Sequence, residues 1–79
     1  MEKTAISDKI KTVLISILEH DNFEMNDDLT ALDVDGWDSL SHMLIITQIE
    51  EEFNIKFKLR DLNKLKNMGS LIKVTQSKL

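Results

Sequence analysis

The chain has 79 residues, 14 acidic and ten basic, and a formal net charge of −4 at pH 7. This length predicts one small domain with one hydrophobic core and no room for a buried catalytic cleft. The negative charge disfavours nucleic acid as a partner, because phosphate backbones attract basic surfaces, and it favours a partner with a basic surface. The absence of cysteine excludes disulfides, thiolate catalysis and a cysteine zinc site.

Nothing in the sequence indicates a membrane segment or a linker. No apolar run approaches the roughly 20 residues that a membrane-spanning helix needs, and residues 1–4 lack the pattern of a secretory signal. The chain has two glycines, no proline and no low-complexity tract that marks a second domain. We therefore expect a single domain over residues 1–79, monomeric, cytoplasmic and without membrane insertion.

Apolar spacing predicts a first helix from Thr4 to Glu19, followed by a long loop from His20 to Trp37. The hydrophobic residues of the helix recur with a period of 3.6 and therefore share one face. A loop this long in a small domain indicates either a function or merely a long connection. Its spaced apolar residues predict that it is held across the bundle. They are Phe23, Met25, Leu29, Leu32, Val34 and Trp37.

Asp38 is predicted to be the N-cap of a second helix that runs from Ser39 to about Phe53. A carboxylate at this position accepts hydrogen bonds from the backbone N–H groups that a helix leaves free at its start. An inward stripe of this helix consists of Ile45, Ile46, Ile49 and Phe53. A neighbouring apolar edge is wider than one core requires, and we interpret it as a partner-binding surface. This apolar edge consists of Leu40, Met43, Leu44 and Thr47.

The remainder predicts a connector and two further helices. Residues 53–57 alternate like a strand, but with no second strand to pair with they are expected to pack onto the bundle as an extended connector. A short helix is predicted from Leu59 to Leu65, and Asn67 is predicted to cap a last helix. The apolar positions of that last helix are Met68, Leu71, Ile72, Thr75 and Leu79. Three main helices and one short helix predict an all-α fold, a small four-helix bundle with a long first loop.

Catalytic and metal-binding interpretations fail on the residues present. Ser39 and His42 are three residues apart on a helix, but a serine nucleophile also needs an oxyanion hole and a substrate cleft. We therefore expect His42 to be a partly exposed surface residue. If Gly36 took the sixth position of a calcium loop, the first and twelfth positions would be Ala31 and His42, which supply neither anchoring ligand. No metal site is predicted.

Ser39 itself has two interpretations. A hydroxyl at the start of a helix, beside a capping aspartate, is exposed, held in place and near the positive end of the helix dipole. A phosphodiester is well tolerated there. An exposed serine at a helix start is nevertheless more often only a capping residue. The residues alone leave both interpretations open.

A longer pattern around this serine resembles the acyl carrier protein family. Asp38-Ser39-Leu40 is preceded by Val-Asp-Gly-Trp and followed, at residues 49–53, by Ile-Glu-Glu-Glu-Phe. The resemblance covers nearly the whole chain, including the long loop and the connector. It implies a four-helix bundle in which Ser39 receives 4'-phosphopantetheine from coenzyme A through a phosphopantetheinyl transferase with magnesium. It also implies that Asp38 presents the serine to that transferase.

The resemblance further implies a carrier and not an enzyme. The thiol of the arm would hold acyl groups as thioesters for acyl-loading and acyl-processing enzymes, so the missing cysteine is no objection. We hypothesise that the bundle opens to shelter the acyl chain among Ile10, Leu14, Ile46, Ile49 and Ile72, although the same residues serve equally as an ordinary core.

One departure from the family pattern bears on the pathway. Carriers of fatty acid synthesis tend to have acidic residues two and five places after the motif serine, where this chain has Ser41 and Leu44. Basic partner enzymes bind such acidic side chains. We therefore expect a dedicated lipid, polyketide or secondary biosynthetic pathway, with Glu50, Glu51 and Glu52 as retained negative charge or simply as a solvated face. The alternatives are an aminoacyl or D-alanyl carrier and an unmodified helical interaction module.

Overall fold

The computed structural model describes residues 1–79, and its regular secondary structure is entirely helical. Helix α1 spans Lys3–Leu18, α2 spans Ser39–Phe53, α3 spans Leu59–Leu62 and α4 spans Met68–Ser77, and a short 3-10 turn lies at Ala31–Asp33. Helix α1 packs against both α2 and α4. The predicted all-α fold with three main helices and one short helix is confirmed.

The core lies where α1, α2 and α4 meet. Ile6, Ile10 and Leu14 of α1 are completely buried, as are Ile45 and Ile49 of α2. Burial of each such side chain contributes roughly 1.5–3 kcal/mol relative to an exposed one. The predicted inward stripes therefore form the core, and the last turn of α1 packs against it half-buried.

The long first loop crosses the bundle as predicted, with one exception. Leu29 and Val34 are buried in the core, and Trp37 packs against it half-buried. Leu32, however, is 99% exposed, so its predicted inward position is wrong. It lies in the 3-10 turn, which Asp33 closes by accepting hydrogen bonds from the backbone N–H and the hydroxyl of Thr30.

Two backbone hydrogen bonds join this loop to the start of α4. The N–H of Met68 donates to the carbonyl oxygen of Leu29 at 2.7 Å, and the N–H of Gly69 donates to that of Asp27 at 3.0 Å. The approach is close enough that a Cβ at position 69 would lie 2.9 Å from the Cβ of Asp27. A glycine is therefore required at this point of α4.

The second half of the chain differs from the prediction at two helix ends. Helix α3 ends at Leu62 and not at Leu65, because the chain continues in tight turns with hydrogen bonds between residues three apart. Leu59, Leu62 and Leu65 are three residues apart. This spacing matches the three residues per turn of a 3-10 helix, and such helices are usually short. Leu59 is 76% exposed, and α4 ends before Leu79, which is also exposed. In the connector, Ile55 is buried as expected.

Candidate functional site

Helix α2 begins at a reciprocal capping box. The Oδ1 atom of Asp38 accepts hydrogen bonds from the backbone N–H groups of Leu40 at 3.0 Å and Ser41 at 2.9 Å. In return, the Oγ of Ser41 accepts from the backbone N–H of Asp38 at 2.9 Å and donates to the carbonyl oxygen of Gly36 at 2.7 Å. The predicted cap is confirmed, and Ser41, whose role the sequence did not indicate, completes it.

The cap also sets the electrostatics of this helix start. The hydrogen bond from the backbone N–H of Ser41 lowers the pKa of Asp38 below its ordinary value, and the Ser41 hydroxyl and the Leu40 N–H act in the same direction. These bonds stabilise the charged carboxylate. They all engage Oδ1, so Oδ2 is left to solvent or to a partner.

Ser39 is the first residue of α2 and is exposed. The capping bonds come from Asp38 and Ser41, so the hydroxyl of Ser39 is not needed for the cap. The capping interpretation of this serine, left open by its position alone, therefore loses its physical basis. Its hydroxyl lies at a fixed helix start, where the positive end of the helix dipole favours a negative group.

The loop that leads to Ser39 is held by a histidine at the end of α1. The Nδ1 atom of His20 accepts a hydrogen bond from the backbone N–H of Asn22 at 3.1 Å. A neutral ring with this acceptor carries its proton on Nε2, which donates to the carbonyl oxygen of Asp35 at 2.6 Å. The next residue, Gly36, has a φ of 83°, in the region where glycine is favoured. Sequence reasoning missed this contact, because it joins residues from different segments.

His42 is paired with tryptophan and not with Ser39. The Nε1–H of Trp37 donates to the Nδ1 of His42 at 3.1 Å, with the two rings inclined by 24°. The ring is half-buried, and burial lowers the pKa of His42 below its ordinary value. A neutral ring with an occupied Nδ1 carries its proton on Nε2. It therefore has no free acceptor with which to activate Ser39.

A small cavity of about 60 Å³ opens beside this ring pair, between the first loop, α2 and the turn before α4. Trp37, His42, Leu65 and Lys66 contribute to its walls. By contrast, the five residues proposed to shelter an acyl chain are closed into the core, each at most 3% exposed. This cavity therefore lies one helical turn beyond Ser39 and at the edge of the bundle.

The predicted apolar edge lies on the exposed face of α2. Leu40 is 76% exposed, and Met43, Leu44 and Thr47 are also exposed. Further along the helix, the carboxylate of Glu50 accepts a hydrogen bond from the backbone N–H of Phe57 at 2.8 Å. Glu50 is therefore not simply part of a solvated face, since it holds the connector against α2.

The acidic residues of the first loop are not arranged around a metal. No group of three or more histidine, aspartate or glutamate side chains is placed to hold a metal ion. Asp33 closes the 3-10 turn, and Asp27 forms an ion pair with Lys3 at 3.0 Å.

No helix combines the length and apolar character needed to cross a membrane.

Comparison with known proteins identifies the family. A family model described as the phosphopantetheine attachment site matches residues 8–74. The chain belongs to this family of carrier proteins. It is similar to the solution NMR structure of a holo acyl carrier protein from Geobacter metallireducens, with 36% sequence identity and a TM-score of 0.85 over 92% of this chain and 84% of that chain. No curated protein sequence matches.

Membership of the acyl carrier protein family defines the general role. These carriers hold 4'-phosphopantetheine covalently, interact with a phosphopantetheinyl transferase and with biosynthetic enzymes, and are not themselves enzymes. The family assignment and the cofactor predicted from the sequence are confirmed.

Proposed function

We propose that this protein is a monomeric acyl carrier, not itself an enzyme, whose phosphopantetheine arm is attached to the Oγ of Ser39. The proposal rests on which residues make the capping hydrogen bonds at the start of α2. Asp38 and Ser41 satisfy the capping bonds, so Ser39 presents an exposed hydroxyl that has no structural task. Residues 1–79 act as one carrier unit.

The residues around Ser39 fit a phosphodiester. The group would lie at the positive end of the α2 dipole, which favours an anion. The nearby carboxylate of Asp38 is turned towards the backbone of Leu40 and Ser41, which reduces its repulsion of a phosphate. When bound, the arm supplies the thiol on which acyl groups are held as thioesters.

The chain provides the nucleophile but not the base for its own modification. His42 is engaged by Trp37 through Nδ1. Hydrogen bonds from Ser41 and Leu40 lower the pKa of Asp38 and so make its carboxylate a weak base. The proton of the Ser39 hydroxyl therefore has to leave to a group of the transferase. The free Oδ2 of Asp38 is the atom that would contact the transferase and present the serine.

The exposed edge of α2 supports a particular mode of partner binding. Leu40, Met43 and Leu44 form an apolar strip directly beyond Ser39, and large exposed apolar groups mark interaction surfaces. We propose that the acyl-loading and acyl-processing enzymes of a dedicated lipid, polyketide or secondary pathway dock on this edge together with Thr47. An aminoacyl cargo is the alternative for the same arm.

Intact mass spectrometry tests the attachment site. The protein is incubated with coenzyme A, magnesium and a phosphopantetheinyl transferase of broad specificity, and a gain of one phosphopantetheine is expected at Ser39. The gain should vanish in Ser39→Ala and persist in the matched control Ser77→Ala, which removes an exposed hydroxyl at the end of α4. Modification of Ser39→Ala would contradict the site, and a lack of gain with several transferases would favour the unmodified interaction module.

A further inference from the structure

The net charge conceals a strong separation of charge along the chain. Residues 56–79 contain seven of the ten basic side chains and only one of the 14 acidic ones. Residues 1–55 contain the other three basic and 13 acidic side chains. The connector, α3 and α4 therefore form a basic part of a protein that is otherwise strongly acidic.

Most of these basic groups are free on the surface. Lys78 is the exception, since its Nζ lies 2.7 Å from the carboxylate of Asp61. Asp61 is the only acidic side chain of this segment. Because it is paired with Lys78, it does not neutralise the other basic side chains. The remaining six side chains are exposed, and they are Lys56, Lys58, Arg60, Lys64, Lys66 and Lys73. Lys56 lines a groove with Glu50 and Glu51 of α2, so we refer to the other five as the basic surface.

The fold brings separate segments together on this surface. Lys64, from the turn after α3, and Lys73, from α4, line the same shallow groove with Ser70 and Ser77. Arg60 lies in α3, and Lys64 follows in the turn directly after it. Basic side chains that are distant in the sequence therefore meet at this groove.

An apolar side chain is exposed within this charged segment. Leu59 is 76% exposed and lies between Lys58 and Arg60 in the sequence. The backbone here is fixed, because the carboxylate of Asp61 accepts a hydrogen bond from the backbone N–H of Lys58 at 2.8 Å and so closes the start of α3. A fixed apolar group within a charged rim is the usual arrangement of a protein interface.

We infer that the basic surface, together with the exposed Leu59 between Lys58 and Arg60, is a docking site for a partner protein that presents carboxylates around an apolar pocket. A local acidic patch fits better than a membrane or a nucleic acid, which extend beyond the site. The whole molecule measures only 28 × 25 × 22 Å, and electrostatic repulsion reaches about 10 Å at 0.1 M salt. A long polyanion on the basic surface would therefore meet the acidic side of the carrier. This inference does not depend on the arm at Ser39.

Binding of two short peptides to the full-length protein tests the inference. The first peptide alternates glutamate with leucine, and the second has serine in place of leucine. NMR titration of the labelled protein with the first peptide should shift backbone amides of residues 56–66, and higher salt should weaken binding. Leu59→Ser should reduce affinity for the first peptide and not for the second.

Charge-reversed variants separate a defined surface from general attraction. Arg60→Glu should weaken binding of the first peptide by about tenfold. The matched control Lys11→Glu, an equal charge change on the exposed face of α1, should weaken it by less than about twofold. Equal effects of the two variants would show that only net charge matters. Tighter binding to anionic phosphatidylglycerol vesicles or to duplex DNA than to the peptide would overturn the choice of a protein partner.

Discussion

The starts of α2 and α4 are built by the same device and differ in what covers them. At both, the N-cap side chain accepts the backbone N–H three residues on, from Ser41 in α2 and from Ser70 in α4. At both, that serine accepts the N–H of the cap residue. The first helical residue is nevertheless the exposed Ser39 in one case and Met68, 1% exposed, in the other. The same type of capping box therefore supports an exposed helix start or a buried joint, depending on whether the first loop covers it.

Replacing the first helical residue should give the largest change in stability and the largest difference between the two helices. Met68→Ala is expected to reduce the free energy of unfolding by about 2–5 kcal/mol, because it leaves a cavity in the core. Ser39→Ala should stay within about 0.5 kcal/mol, as for most exposed positions. Urea denaturation followed by circular dichroism measures both. A large loss in Ser39→Ala would mean that the serine has a structural task after all.

The second helical residue extends the comparison. Gly69→Ala should destabilise the protein by about 1–3 kcal/mol, because the added Cβ meets the Cβ of Asp27 at 2.9 Å. Leu40→Ala, at the equivalent position of α2, should change stability little and should weaken only the binding of partner enzymes. Thermal unfolding of the two variants checks this. Equal melting temperatures would contradict the close contact between the first loop and α4.

The fourth helical residue should give the smallest effect, and it depends on pH. Here α2 has the half-buried His42, whereas α4 has the buried Leu71. Burial lowers the pKa of folded His42 from an ordinary value of 6.5, so the unfolded chain binds a proton first as the pH falls. Stability should therefore decrease below about pH 6.5 until the folded pKa is passed. His42→Gln should lose this dependence.

Fluorescence of Trp37 supplies an independent readout of the same event, because protonation of Nδ1 removes the acceptor of its indole N–H. His20→Gln is the control, since His20 lies away from the indole and contacts Asp35. Unchanged tryptophan emission over the pH range in which NMR shows the His42 ring to be protonated would contradict the pairing of Trp37 with His42.

The features that the sequence predicted depend on interactions between residues that are close to each other along the chain. The stripes of α1, α2 and α4 and the caps at Asp38 and Asn67 are local patterns, and the structure confirms them. The bonds from His20 to Asp35 and from Glu50 to Phe57 join separate segments, so local periodicity does not reveal them.

The errors have the same origin. The sequence pattern groups Leu32 with the inward residues of the first loop, but the turn closed by Asp33 directs it outward. Net charge likewise hid the basic surface, because a total does not report how charges are distributed along the chain.

The backbone bonds between the first loop and α4 also affect the order of folding. They connect Leu29 with Met68 and Asp27 with Gly69, so a long stretch of chain must close before either forms. Such nonlocal contacts carry an entropic cost in closing the chain and slow folding. During synthesis, the loop that leads to Ser39 lacks these two bonds until residue 69 has left the ribosome. Attachment of the arm is therefore expected to follow completion of the chain, and unfinished chains should be poor substrates for the transferase.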